Sequence, residues 1–389
     1  MTLHRLMFSL ALALPSFVAQ AGEFVPAAEG AVSAPSRYIV QLQAEAGGKP
    51  AATTAADTLL AIYGGRLIRA YGTALMGFAA TMTEAQAVAL ATDPSVKVVS
   101  PDTVLRLAGT QFSPPWGLDR VDQRTLPLSQ TYIYADGGTT AHVYVLDSGL
   151  AADHPDFVGR VGTGYNAVPD LGLVLGETID CNGHGTHVAG TAVGATHGVA
   201  KRAIVHPVRI SSCAPTTLSS LAIDGIDWVA SHAQRPAVAN YSLSGGVDAL
   251  LEQALRNLIA RGISVVAAAG NDGANACDYT PGRMPEAITV AASEISDGAA
   301  SYSNFGACVD LYAPGTDVIS ASNLLGGTAT MSGTSMSAPH VAGAAALYLA
   351  GNPGASPAQV AAALVGRSST NSLFAVPGGT PNRLLYTGR

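Results

Sequence analysis

Three short stretches of the chain carry a carboxylate, an imidazole and a hydroxyl in settings that could do chemistry. Val143-Tyr144-Val145-Leu146-Asp147-Ser148-Gly149 sets a carboxylate at the end of an apolar run, with a glycine to turn the chain. Asn182-Gly183-His184-Gly185-Thr186-His187-Val188-Ala189-Gly190 sets a histidine between glycines where a helical stretch begins. Ser332-Gly333-Thr334-Ser335-Met336-Ser337-Ala338-Pro339-His340 is a loop entering an apolar helix that runs to about Ala350. Each alone has an ordinary explanation: the aspartate as a turn residue, the histidines as a metal pair or locally satisfied groups, the serine as a helix N-cap with proline in the first turn. Together they are more specific. Asp, His and Ser in that chain order form one of the known orders for an orienter, a base and a nucleophile, and the order differs from the Ser, Asp, His of α/β-hydrolases. The chain contains no G-x-S-x-G. A serine hydroxyl is a weak nucleophile at neutral pH, so the chemistry implied is acyl transfer by a serine that a neighbouring base activates.

Such residues need rigid elements to hold them. Ala141 to Leu146, apart from His142 and Tyr144, is an apolar run of the kind found in parallel strands covered on both faces, and Ala237 to Leu243 and Ile263 to Ala269 are similar. Between them, Ala249 to Arg261 places Leu250, Leu251, Ala254, Leu255 and Leu258 along one helical face, with Gly262 as the stop. Strands alternating with crossover helices predict an α/β fold with a doubly wound parallel sheet and a site beyond the carboxyl ends of its strands. Upstream, Ser36 to Leu107 reads as a separate small α/β unit. Tyr38–Leu42 is a predicted strand, a helix ends at Leu59–Tyr63 before Gly64-Gly65, and Leu75 to Met82 is a second strand. Thr83-Glu84-Ala85-Gln86 has the capping-box pattern, Asp93-Pro94 ends that helix, and Val96–Val99 returns as a strand. The order predicts a ferredoxin-like split βαβ unit, small enough to be marginal as a free-standing fold.

Composition narrows the classes further. The 389 residues are 48% hydrophobic and 12% charged, which excludes a disordered chain and a coiled coil, and 43 glycines without a three-residue period exclude collagen. A net charge of −7 with no Lys/Arg cluster argues against a nucleic-acid partner. At the start, His4 and Arg5 precede an apolar run from Leu6 to Val18, and Ala19-Gln20-Ala21 supplies small residues at a cleavage position. This predicts a signal peptide over 1–21 and a secreted protein free of the membrane once it is removed, since about 13 apolar residues are too few to span a bilayer. The expected organisation is signal peptide 1–21, a small α/β segment 22–108 and a large α/β domain 109–389.

D-S-G, H-G-T-H and G-T-S-M-S-A-P-H together resemble the signature blocks of subtilisin-like serine proteases. Asp180-Cys181-Asn182-Gly183-His184, Gly198-Val199-Ala200-Lys201, Ala269-Gly270-Asn271-Asp272 and Pro381-Asn382-Arg383-Leu384-Leu385-Tyr386 are similar to the aqualysin-like members of the proteinase K branch. Residues 36–107 resemble that family's inhibitor-like propeptide. The resemblance implies an extracellular endopeptidase, monomeric, acting on proteins or peptides and made as an autoprocessed zymogen whose propeptide is both inhibitor and folding aid. It implies Ser335 as nucleophile, His184 as base, Asp147 as orienter, Asn271 as oxyanion donor and a structural role for His187. It places Ser242, Leu243, Ser244, Ala268, Ala269 and Gly270 against the substrate. Two departures stand out: Ser242-Leu243-Ser244-Gly245 has serine where the family usually has glycine, and Ala214-Pro215-Thr216-Thr217 replaces a Gly-Ser-Gly stretch. Both add bulk at the substrate edge. Four cysteines allow three pairings, of which the resemblance implies Cys181 with Cys213 and Cys277 with Cys308. It also implies structural calcium held by the Asp310 carboxylate and the carbonyls of Pro285 and Ala287, oxygen donors suited to a hard cation. The competing classes are a catalytically silent binding module on this fold, against which the complete triad argues, and an esterase, disfavoured by the motif order. A thiol or zinc site has no C-x-x-C or H-E-x-x-H to support it.

Overall fold

A computed structural model describes residues 22–27, 33–43, 47–104, 108–135, 141–168, 178–324 and 326–388. The expected signal peptide lies outside the described residues. The chain divides into two compact units, Met1–Leu105 and Arg106–Arg389. Among the described residues no helix is long and apolar enough to cross a membrane.

The first unit contains β1 (Glu23–Phe24), β2 (Ser33–Leu42), α1 (Gly48–Tyr63), β3 (Arg66–Tyr71), β4 (Gly77–Thr81), α2 (Glu84–Ala91) and β5 (Val96–Thr103). Its sheet order, β1-β5-β2-β4-β3, contains the β5-β2-β4-β3 arrangement of the ferredoxin-like fold, and the β2–β5, β2–β4 and β3–β4 pairs are antiparallel. The expected local signals operate: the Gly64 N–H closes α1 on the Leu60 carbonyl, and Thr83 and Gln86 form a reciprocal capping box on α2. Val40, Phe78, Leu90, Val96 and Val99 are buried in its own core. Strand β3, absent from the sequence reading, is a mostly exposed edge strand with a register shift between Leu67 and Arg69, so its residues never alternate cleanly.

The second unit begins with β6 (Ala108–Phe112), which pairs antiparallel with β7 (Thr131–Ala135) around α3 (Trp116–Val121). Its main sheet holds β8 (His142–Asp147), β9 (Tyr165–Asn166), β10 (Ile204–Arg209), β11 (Ala237–Tyr241), β12 (Ser264–Ala268), β13 (Ile288–Ser293), β14 (Leu311–Pro314), β17 (Ser369–Thr370) and β18 (Arg383–Leu384). A separate ribbon pairs β15 (Val318–Ala321) with β16 (Thr328–Met331). The nine-stranded order is β17-β18-β14-β13-β12-β11-β8-β10-β9, parallel except for β17 against β18. Among the described residues it is accompanied by α4 (His184–Val193), α5 (Ser219–His232), α6 (Ala249–Ala260), α7 (Thr334–Gly351) and α8 (Pro357–Arg367).

Side-chain alternation explains why these strands read as largely apolar runs. In β8, Val143 and Val145 join the core shared with α4, α7 and α8, whereas Tyr144 and Leu146 join the core shared with α5 and α6. In β12, Val266 and Ala268 face the first core and Val265 and Ala267 the second. Helices on both faces leave the central strand residues little water, which favours apolar types on both faces and leaves polar ones such as Asp147 and Asn240 as exceptions. From β8 the chain runs to β9 and then β10 on one side, and from β11 onward the strands proceed on the other. The strand order therefore reverses beside β8. The crevice that opens there, at the carboxyl ends of β8 and β11, is where an open α/β sheet presents a ligand site.

Candidate active site

Asp147 is the last residue of β8, 3% exposed at its side chain. Its Oδ1 accepts from the backbone N–H of Ser148 and from Nδ1 of His184, both at 2.8 Å. This bond puts the imidazole proton on Nδ1 and leaves the Nε2 lone pair for an incoming proton. His184 opens α4, after Gly183 in the left-handed region at φ 98°. A non-glycine residue there would be strained, and its Cβ would crowd Asn323 Oδ1 at 3.1 Å.

Asp180, mentioned in the sequence reading only as part of a motif, organises this helix start. One carboxylate oxygen accepts from Ser148 Oγ (2.9 Å) and from the N–H groups of Asn182 (3.0 Å) and Gly183 (2.8 Å). The other accepts from the N–H and hydroxyl of Thr186, at 2.8 and 2.6 Å. Of these, the Gly183 and Thr186 N–H groups are donors that a helix N-terminus otherwise leaves unsatisfied. Burial pulls the His184 pKa down, but the Asp147 charge and hydrogen bond, with the Asp180 charge behind them, outweigh it and leave it above the ordinary 6.5. The Cys181–Cys213 disulfide (Cα–Cα 5.0 Å) braces the same loop, and Asn182 Nδ2 donates to the Cys213 carbonyl at 3.0 Å. The second bridge joins Cys277 to Cys308, so both implied pairings are present.

Ser335 lies in the first turn of α7, a helix buried around nearly its whole circumference. Its N–H has no intrahelical acceptor. The Ser335 hydroxyl donates to the Ser242 carbonyl at 3.0 Å, and among the described residues no hydrogen bond joins it to His184. Asn271 follows β12, and its side-chain oxygen accepts from the N–H of Thr334 (2.8 Å) and from the Thr334 hydroxyl (2.9 Å). With the carbonyl end so held, the amide Nδ2 is the end left for another partner. Thr334 also accepts from the Gly270 N–H at 3.1 Å, which ties the β12 end to the start of α7. Sequence reasoning missed Thr334 because a threonine in a G-T-S-M block has no local pattern naming a partner 63 residues upstream.

These groups share one cavity of ≈ 320 Å³. Asp147, His184, Asn271 and Ser335 all line it, as do Ser242, Leu243, Ser244, Ala268 and Gly270. Ala269 does not; it is fully buried and packs with Ala276, Ala291 and Tyr312 in a satellite core, because its side chain turns away from the pocket that Ala268 faces. Both sequence departures reach the wall, through Ser244 and through Ala214 and Pro215. The Ser244 hydroxyl lies across from Gly270, where a Cβ would come within 2.8 Å of it.

Asp310 stands just before β14. It donates its N–H to the Thr289 carbonyl (3.0 Å), and its Oδ2 accepts the Thr289 N–H in return (2.8 Å). Asp310 thus stands beside Thr289, two residues after Ala287. Burial raises the Asp310 pKa against the Thr289 hydrogen bond and the Arg383 charge, so the ionised form is short of positive charge. A half-buried carboxylate with one oxygen uncommitted fits an oxygen-coordinated cation. Among the described residues no group of three or more His, Cys, Asp or Glu is gathered as a metal cluster, so carbonyls would have to complete the shell.

Residues 138–383 match the Subtilase family and residues 37–108 match Peptidase inhibitor I9. The chain is 45% identical over 329 residues to an extracellular serine proteinase of Thermus sp., covering 84% of this chain and 79% of that one. It is 41% identical over 337 residues to alkaline serine exoprotease A of Vibrio alginolyticus, covering 85% and 62%. Among solved structures it is similar to a cold adapted subtilisin-like serine proteinase, at 45% identity and TM-score 0.68, covering 71% of this chain and 99% of that one.

Proposed function

The chain belongs to the subtilase family of serine peptidases, with an I9 inhibitor domain upstream, and from that premise we propose that it hydrolyses peptide bonds through an acyl-enzyme on Ser335. The observation that carries the reading is the 2.8 Å Asp147–His184 pair opening onto the cavity that Ser335 and Asn271 also line. Ser335 attacks the scissile carbonyl while His184 Nε2 takes its proton and later returns one to the leaving amine. Rotation of the hydroxyl from the Ser242 carbonyl toward His184 precedes attack; such bonds often form only with substrate in place. Asp147 holds the tautomer and stabilises the imidazolium. Asn271 Nδ2 and the Ser335 N–H donate to the oxyanion, and their preorganised dipoles cost no reorganisation as charge develops. Ser244 narrows the pocket for the side chain before the scissile bond.

Residues 1–21 direct export and 22–108 are the propeptide, a folding aid and inhibitor that the enzyme itself removes. The two disulfides and the extracellular relative support a secreted location. Gly109 and Thr110 belong to the β6–β7 ribbon, and Leu105–Leu107 lie outside the described residues. Asp310 with the Pro285 and Ala287 carbonyls would hold calcium, whose charge neutralises that carboxylate and ties β14 to the segment before β13. The deciding test is Ser335→Ala expressed as the full chain. Loss of peptidase activity and accumulation of precursor shortened only by the signal peptide are expected; normal processing in a protease-free host would overturn self-cleavage, and retained peptidase activity would overturn the nucleophile.

A further inference from the structure

Pro339 stands inside α7, in the sixth position from Thr334. In a regular helix the Ser335 carbonyl accepts from the N–H of residue 339, and a proline has none. The acceptor next to the proposed nucleophile is therefore without its helical donor. The Ser242 hydroxyl donates to it instead, at 2.9 Å, and itself accepts from Asn240 Nδ2 at 2.9 Å. In the opposite direction the Ser242 carbonyl receives the Ser335 hydroxyl at 3.0 Å. Ser242 is 1% exposed and Asn240 0%, so these bonds are shielded from bulk water as the chain is folded. Asn240 belongs to β11 and Ser242 follows it by two residues, so the chain of donors runs from the strand end into the first helical turn.

We propose that the Asn240 amide and the Ser242 hydroxyl are positioning residues for catalysis: they replace the helical hydrogen bond that Pro339 removes and thereby fix the first turn of α7 against the end of β11. The proposal rests on Ser335 being the nucleophile. Donor and acceptor polarise one another along Asn240 N–H, Ser242 O–H and Ser335 C=O, which strengthens each bond in a low-dielectric setting. The first turn carries both the Ser335 hydroxyl and the Ser335 N–H, so a small displacement misplaces nucleophile and oxyanion donor together. Pro339 and Ser242 are on this view a matched pair, although 97 positions separate them in the numbering.

The test is a double-mutant cycle on enzyme produced from the full chain, with Ser242→Ala, Pro339→Ala and the double variant titrated by a fluorophosphonate so that rates refer to competent sites. Ser242→Ala is expected to lower kcat about tenfold with KM within about twofold of the parent. In the Pro339→Ala background the residue 339 N–H serves the Ser335 carbonyl, and the same change should lower kcat by no more than about twofold. Ser242→Thr keeps a hydroxyl and should retain most of kcat, an outcome that simple loss of packing would not produce. Equal kcat losses in the two backgrounds, or an effect confined to KM, would overturn the proposal. Should Ser242→Ala give too little folded enzyme to titrate, recovery of folded enzyme in the double variant supports the pairing and failure to recover overturns it. An active Ser335→Ala would remove the underlying nucleophile assignment, whereas an inactive Ser335→Ala with an additive cycle removes only this inference.

Discussion

Truncation of Asn271 to alanine removes the proposed oxyanion donor, and the geometry sets the magnitude expected. Its side-chain oxygen is held by two donors from Thr334, at 2.8 and 2.9 Å, so the Nδ2 end is fixed rather than sampled. A preorganised side-chain donor of this kind contributes roughly 2.7 to 4 kcal/mol in the transition state, equivalent to about 10² to 10³ in kcat. Because the bond tightens only as the oxyanion forms, KM should change little. Asn271→Ala also strips an acceptor from the Thr334 N–H and hydroxyl, a loss on the order of 1 to 3 kcal/mol if water does not replace it. Catalysis and stability therefore need separate readouts. We would measure kcat per fluorophosphonate-titrated site on a peptide substrate, and Tm on the same preparations. Asn271→Asp separates the two effects: it keeps an oxygen for Thr334 but sets a carboxylate oxygen where the amide donor was, so Tm should fall less than in Asn271→Ala while kcat falls at least as far. A titrated kcat for Asn271→Ala within about tenfold of the parent would refute the donor assignment.

Ser244→Gly should raise the kcat/KM ratio for Phe over Ala before the scissile bond by about tenfold, the scale of one small group in an apolar pocket; an unchanged ratio would show that Ser244 does not shape it. Calcium at a hundredfold excess over its dissociation constant should add about 2.7 kcal/mol, so EDTA should lower Tm in the parent and leave Asp310→Asn unmoved. An equal EDTA response in both would place the stabilising ion elsewhere. Burial lowers the pKa of His187 and of His340 from 6.5 to about 4, and both are at most 1% exposed. Below pH 6.5 the unfolded chain takes up protons that the folded state refuses until about pH 4, so stability present above 6.5 is lost through that window, by about 3 kcal/mol for each histidine. Urea unfolding of the Ser335→Ala protein between pH 7 and 4 checks this, and a flat profile would contradict it.

Local signals account for much of what was legible. Continuous apolar runs at β8, β11 and β12, the Gly262 stop after α6 at φ 82° and the Thr83–Gln86 capping box depend on residues a few positions apart, and each operates as expected. The candidate site was readable because its three blocks have distinctive compositions. Edge strand β3 and the two-residue β1 were not readable, since neither buries a face that would impose a pattern.

Residue types at Asp147, His184, Asn271 and Ser335, and the elements that carry them, were determined by the sequence alone, because helix starts and strand ends are set by neighbouring residues. The tertiary structure decided which groups hold these four. Asp180 as the cap of the His184 helix, Thr334 as the anchor of Asn271, Ala269 turned away from the pocket, and Ser242 as the donor to the carbonyl that Pro339 leaves free all depend on chain crossings at the sheet. The physical reason is range. A capping box joins residues 3 apart, whereas the bond from Ser242 to Ser335 spans 93, and a hydrogen bond of that reach exists only after β11 and α7 have been packed together by the core beneath them.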